Sequence, residues 1–355
     1  MVCSGMKSHE ITGPLYSPKI DEAEREAQAL VKTRTQALGA EARETLLARK
    51  VWVRALARSG KDAAAEKQAA ELQPALERVF GAEDRETLHG RRILIVTRTD
   101  MGHFANAEQE LRALIALDTR VLGPEDAETL DAREILAAHL IELAKLDEAE
   151  KEMRVVLSLN EKVYGADSKD ALSSRHNMAA LLASAKKYAE AEPLLRGLVA
   201  TRERVLGAEH PDTLMSRSNL ALVLYYQDKY DEALEQEQMT LTLRTRTLGP
   251  EHPDTLSTRT SMAVIVFSLG KTEEGEKELR NVLAEYERLL GPEHPEVFFT
   301  CRKLAQCLEA QEKNQEALKC AERASAGCRK ILGKEHPQTL EAQALADELK
   351  KKIKA

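Results

Sequence analysis

Apolar side chains recur along this chain at helical spacing. Leu214, Leu220, Ala221 and Leu224 fall at i, i+6, i+7 and i+10. Tyr188, Ala191, Leu194, Leu195, Leu198 and Val199 form a second stripe of the same kind. Each stripe has the period of an amphipathic helix. A short polar turn, such as Lys186-Lys187, precedes the second kind of stripe. The pattern therefore predicts hairpins: helix A, a turn, helix B, then a connector to the next helix A.

The connectors carry the strongest signal. Gly39, Gly81, Gly123, Gly165, Gly207, Gly249, Gly291 and Gly333 are each 42 residues after the last. A period in this range marks an array whose units pack mainly on their neighbours. Leu206-Gly207-Ala208-Glu209-His210-Pro211-Asp212-Thr213-Leu214 reads as a helix stop followed by a helix start. Glycine accepts the left-handed cap of the old helix. Pro211, Pro253, Pro295 and Pro337 suit the first turn of the new one, where a missing N–H costs little. Identical placement of His210, His252, His294 and His336 at that entry points to connector geometry, not to metal or catalysis.

A small residue follows each glycine by 26 places: Ala65, Ala107, Ala149, Ala191, Ala233, Gly275 and Ala317. A small side chain recurring at one helical site lets two helices approach closely. The sequence predicts an all-α solenoid over residues 20–355. It has seven full hairpins, a lone helix B at about 20–38 and a lone helix A at about 337–353. Residues 1–19, with Gly13, Pro14 and Pro18, are expected to form a flexible tail. Propeller blades of similar length need four strands and a repeated Trp-Asp, whereas Trp52 is the one tryptophan here.

Composition narrows the function. The chain of 355 residues is 43% hydrophobic and 31% charged, with a net charge of −7. Mild acidity gives no support for a nucleic-acid partner. No apolar stretch approaches the roughly 18 residues of a membrane span. Of five cysteines, Cys3 lies in the tail and Cys301, Cys307, Cys320 and Cys328 crowd near the C-terminus. None forms Cys-x-x-Cys, so buried, inert thiols are expected and no metal. An odd count with no secretory signal points to a reducing, cytoplasmic compartment. The sequence shows no phosphate loop and no Ser-His-Asp setting, so neither an enzyme nor a cofactor is expected.

Asn219-Leu220-Ala221, then Lys229-Tyr230-Asp231-Glu232-Ala233, then Leu248-Gly249-Pro250-Glu251-His252-Pro253 resembles a tetratricopeptide repeat of the long, 42-residue kind. That kind occurs in kinesin light chains and nephrocystin-3-like proteins. A kinesin light chain would also carry an N-terminal heptad coiled coil, which this sequence does not show. The resemblance implies a right-handed superhelix whose A helices line a channel that binds an extended peptide of a protein partner. In the family an asparagine of helix A holds the peptide backbone. The matching positions are Val51, Ile93, Ile135, Asn177, Asn219, Ser261 and Lys303.

A groove is thus expected over Asn177, Asn219 and Ser261, flanked by His176, Ser218, Leu222, Tyr225, Tyr226, Val264 and Phe267. A carboxamide offers donor and acceptor to any peptide unit. Arginine recurs ten places after the glycine, as Arg49, Arg91, Arg133, Arg175, Arg217 and Arg259. Arg175, Arg217 and Arg259 would serve an acidic ligand if they line the groove. Their repetition in degenerate and well-formed units alike favours ion pairs between helices. Two other uses remain open: a spacer or self-associating surface, through Ala342, Leu345 and Leu349 of the last helix, and the sensor arm of a larger signalling protein.

Overall fold

The computed structural model describes residues 18–100, 106–334 and 336–354. They fall into two compact units, divided after Lys186. The first holds α1 (Pro18–Leu38), α2 (Arg43–Arg58), α3 (Asp62–Phe80), α4 (Arg85–Asp100), α5 (Ala107–Val121), α6 (Ala127–Glu142), α7 (Leu146–Tyr164) and α8 (Lys169–Ser184). The second holds α9 (Tyr188–Leu206), α10 (Pro211–Tyr225), α11 (Tyr230–Leu248), α12 (Pro253–Ser268), α13 (Thr272–Leu290), α14 (Pro295–Ala310), α15 (Asn314–Leu332) and α16 (Pro337–Lys354). Among the described residues there is no strand. Even-numbered helices are A helices and odd-numbered ones B helices. Within each unit every helix packs on its neighbours in sequence. The tail expected over 1–19 lies outside the described residues as far as residue 17, and α1 already begins at Pro18.

The connector departs from expectation in one respect. At Gly81, Gly165, Gly207, Gly249, Gly291 and Gly333, φ is 87–100° but ψ is 151–165°. This is the extended region at positive φ, which side-chain-bearing residues essentially cannot enter, and not the left-handed helical cap. The extended ψ carries the chain straight away from helix B, and the glycine carbonyl becomes an acceptor for a hydroxyl of the next helix A. Thr45, Thr129, Thr213 and Thr255, each six residues on, donate their hydroxyls to the carbonyls of Gly39, Gly123, Gly207 and Gly249 at 2.8–2.9 Å.

A second residue closes the connector. Asp126 and Ser168 cap α6 and α8 by accepting from backbone N–H groups of the first turn. At the same place His210, His252, His294 and His336 accept through Nδ1 from the N–H two residues on, at 3.2–3.3 Å. Histidine thus substitutes for the usual short polar cap, and its recurrence is explained by connector geometry. Exposed ion pairs tie connectors to the following hairpin, as in Glu41–Arg78 (2.5 Å), Glu83–Arg120 (2.6 Å) and Glu293–Lys330 (2.7 Å). Exposed pairs of this kind are screened and set register more than stability.

The small-residue site lies inside each hairpin. Ala65, Ala149, Ala191, Ala233 and Ala317 are fully buried there. At Gly275 an added Cβ would stand 2.6 Å from the Ala263 carbonyl and 2.8 Å from Phe267 Cβ. The close approach of the α12 backbone leaves room for glycine alone. Among the described residues the turn from A to B has its own strained position, 21 residues after six of the connector glycines. Ala144, Lys186, Asp228 and Glu312 stand there at φ of 58–61°, alongside Gly60 and Gly270.

Candidate functional site

The site is built from the solvent-facing side of the A helices in the second unit. On α10, Met215, Asn219, Leu222 and Tyr226 fall at i, i+4, i+7 and i+11. All four keep solvent access, with Tyr226 49% exposed at the end of the helix. The corresponding residues are Ser257, Ser261 and Val264 on α12, and Phe299, Lys303 and Gln306 on α14. The row therefore carries apolar, hydroxyl, amide and ammonium groups in turn. Asn219 makes no side-chain hydrogen bond to any described residue.

Tyrosines gather at one end of this face. Tyr226 stacks on Tyr188 with centroids 5.1 Å apart, and Tyr225 meets Tyr226 and Tyr230 at 5.4 Å each. Ser268 Oγ lies 3.2 Å from the Tyr225 hydroxyl. Tyr225 is thus tied into the scaffold, while the outer part of Tyr226 stays open. Burial raises the Tyr226 hydroxyl above the usual tyrosine range, which keeps it neutral.

Several expected groove residues are used differently. Ser218 Oγ donates to Glu237 Oε2 of α11 at 3.2 Å, so it serves the interior of the hairpin. Val264 and Phe267 pack against the core around Leu279, Leu304 and Leu308. Arg175, His176 and Asn177 belong to α8 of the first unit, and His176 and Asn177 are buried at 8% exposure each. The open face of α10 and α12 accordingly keeps Asn219, Ser261, Leu222 and Tyr226 from the set read in the sequence.

The arginine series is internal. Arg91 meets Glu77 at 2.9 Å, and Arg175 and Arg217 pair with Glu161 and Glu203, each fourteen residues earlier on helix B. Arg217 also donates to Gln236 Oε1 at 2.7 Å. Arg133 pairs with Glu152 at 2.5 Å, and Arg259 with Glu278 and Glu285 at 2.6 and 2.8 Å. Even Arg49, with Glu71 at 3.8 Å, has its acid. These guanidiniums hold helix to helix, because a half-buried cation needs a compensating carboxylate. Arg175, Arg217 and Arg259 each have an acid within the array.

The cysteines behave as small apolar groups. Cys301, Cys307, Cys320 and Cys328 are free thiols, and burial pushes Cys301 and Cys307 up to about 12. At such values the thiolate is scarce and reactivity is low.

The connector, the hairpin and the stacking together define a class. Residues 170–246 and 254–330 match the tetratricopeptide repeat family model. Over these two stretches, from α8 to α15, the chain consists of tetratricopeptide repeats. A putative kinesin light chain from Podosopora anserina, with nearly identical TPR-like repeats, is 26% identical to it. That match covers 57% of this chain and 95% of that one, at a TM-score of 0.47. The apo form of RapI is 14% identical over 81% of this chain and 98% of its own, with a TM-score of 0.62. A Rap protein complexed with competence and sporulation factor is 11% identical over 95% and 99%, with a TM-score of 0.53. The two Rap likenesses show the fold. No curated protein matches the chain. Among the described residues no helix is long and apolar enough to cross a membrane. The fold is that of a protein-interaction scaffold.

Proposed function

We propose that the array binds an extended peptide segment of a partner protein along the open face of α10 and α12. The observation that carries this reading is Asn219, a half-buried carboxamide with no partner on a face otherwise lined by Met215, Leu222 and Tyr226. Neighbouring A helices stand about 10 Å apart, and an extended chain advances about 3.3 Å per residue. Asn219 and Ser261 would then meet peptide units about three residues apart. Tyr226 adds broad, rigid apolar contact at small entropic cost. In the solved Rap complex a protein of this fold holds competence and sporulation factor, which supports ligand binding as a use of the scaffold.

Self-association through the last helix receives less support. Ala342 and Leu349 are fully buried against the preceding hairpin. On the outer side of α16 stand Asp347 and Lys350, where other A helices carry Ala305 and Leu308 or Ala221 and Leu224.

Peptides selected by display on the full chain test the proposal. Asn219→Ala is expected to weaken them about fivefold, the equivalent of roughly one hydrogen bond, and Tyr226→Ala to weaken them further. Equal affinity for wild type and both variants would overturn it.

A further inference from the structure

Lys303 stands apart from the other lysines. Lys61, Lys145, Lys229 and Lys313 each reach a glutamate of the preceding hairpin at 2.7 Å. Lys350 and Lys352 are held by Glu322 and Glu309 at 2.9 and 2.6 Å. Lys303 is half-buried on the open face of α14, and no described carboxylate lies within ion-pair distance of it. Its Nζ sits 5.6 Å from the centroid of Phe299, and the guanidinium of Arg302 lies over the same ring at 5.3 Å. Arg302 already has its acid, Glu341, at 2.8 Å.

We propose that Lys303 is a site of covalent acylation, where the side-chain amine attacks the carbonyl carbon of an acyl thioester. A C–N bond forms and the C–S bond breaks. The sulfur leaves with the electron pair and takes up the proton released by nitrogen. No electron is gained or lost, and the product is a neutral amide. This inference is independent of the peptide-binding reading.

Two physical facts support it. The ammonium form is penalised by burial and by the neighbouring Arg302, which lowers Lys303 to about 8 and leaves a useful fraction of free amine near neutral pH. Acylation also replaces a half-buried charge that has no carboxylate partner by a polar group that is easier to bury. The groups that bear on Lys303 are Arg302 and Cys307 of its own helix and Glu341 of α16. On the other side, α12 carries no ionisable residue after Arg259. Cys307, one turn on, is buried and pushed to about 12, so it is a poor relay for the acyl group.

Acetyl coenzyme A is the probe, incubated with the full chain from pH 6 to 10, and mass spectrometry follows each lysine. At pH 7.5 Lys303 should acetylate about tenfold faster than exposed Lys277 and Lys351. Its rate should level with a midpoint near 8, while theirs keep rising. Gln306→Glu, which sets a carboxylate one turn away on the exposed side, should slow Lys303 several-fold at pH 7.5. Cys307→Ser should leave its rate unchanged. A Lys303 rate no higher than that of Lys277, or one that rises without levelling, overturns the proposal. Loss of acetylation in Cys307→Ser overturns direct attack by the amine.

Discussion

Glu237 sits in the interior of a hairpin with 2% of its surface exposed, and its carboxyl group accepts a hydrogen bond from Ser218. Burial pushes that carboxyl up to about 7. The folded protein therefore holds this proton where the unfolded chain, near the ordinary 4.5, has lost it. The folded state binds more protons between these values, so this carboxyl's contribution to stability is fully present below about 4.5 and is lost as pH rises through 7. Glu237→Gln keeps the shape and an acceptor for Ser218 but cannot ionise. Urea unfolding of the two proteins should diverge from pH 4.5 to 7.5, the variant gaining on the order of 3 kcal/mol at the upper end. Parallel curves would show that Glu237 stays ionised in the fold. Glu134 is raised to about 7 by the same cause, so the variant keeps part of the slope.

Two glycines within B helices make opposite predictions from the same substitution. Gly197 is exposed in α9, with nothing within 4 Å of an added Cβ. Gly197→Ala should raise stability by about 0.5–1 kcal/mol, because it trims the freedom of the unfolded chain. Gly275 is pressed against Ala263 and Phe267, and Gly275→Ala should cost about 1–3 kcal/mol as the helices are forced apart. Thermal unfolding of the two variants checks both signs. The hairpins, their order and this small-residue site were legible because they rest on period and size, which the sequence displays directly. The ψ of the connector glycines was not, since glycine permits the left-handed cap and the extended form alike. Nor was the strained A-to-B turn, where glycine at residues 60 and 270 alternates with Ala144, Lys186, Asp228 and Glu312. Tertiary packing also carries α3 and α9 through Pro74 and Pro193 against local preference. The binding face was half legible. The period placed Asn177 and Asn219 at one helical position, but burial follows the size of the neighbours, and it covers Asn177 while leaving Asn219 accessible.

In both units, B helices meet the next A helix through pairs of residues fourteen apart. Asn160 bonds Ser174 at 2.8 Å, Arg202 bonds Ser216 at 2.7 Å and Arg244 bonds Thr258 at 2.8 Å. Where Leu76 takes the first place the second is Gly90, whose added Cβ would come 2.4 Å from Leu76 Cδ1. Gly90→Ala should therefore loosen α3 from α4 at a cost of about 1–3 kcal/mol. Leu76→Ala in the same chain should recover part of it, and a double-mutant cycle by urea unfolding measures the coupling. Simple additivity would disprove the pairing.

An array of equal-length units invites a particular folding error, in which a helix docks one unit too early or too late. Every helix in a slipped alignment would have the right length and the right connector. It would have the wrong counterpart: Leu76 against Ala132, which carries the Cβ that Gly90 lacks, or Asn160 against the same Ala132, leaving an unmet amide. These unlike contacts act as keys cut for single locks, and they let a monotonous chain count its own repeats.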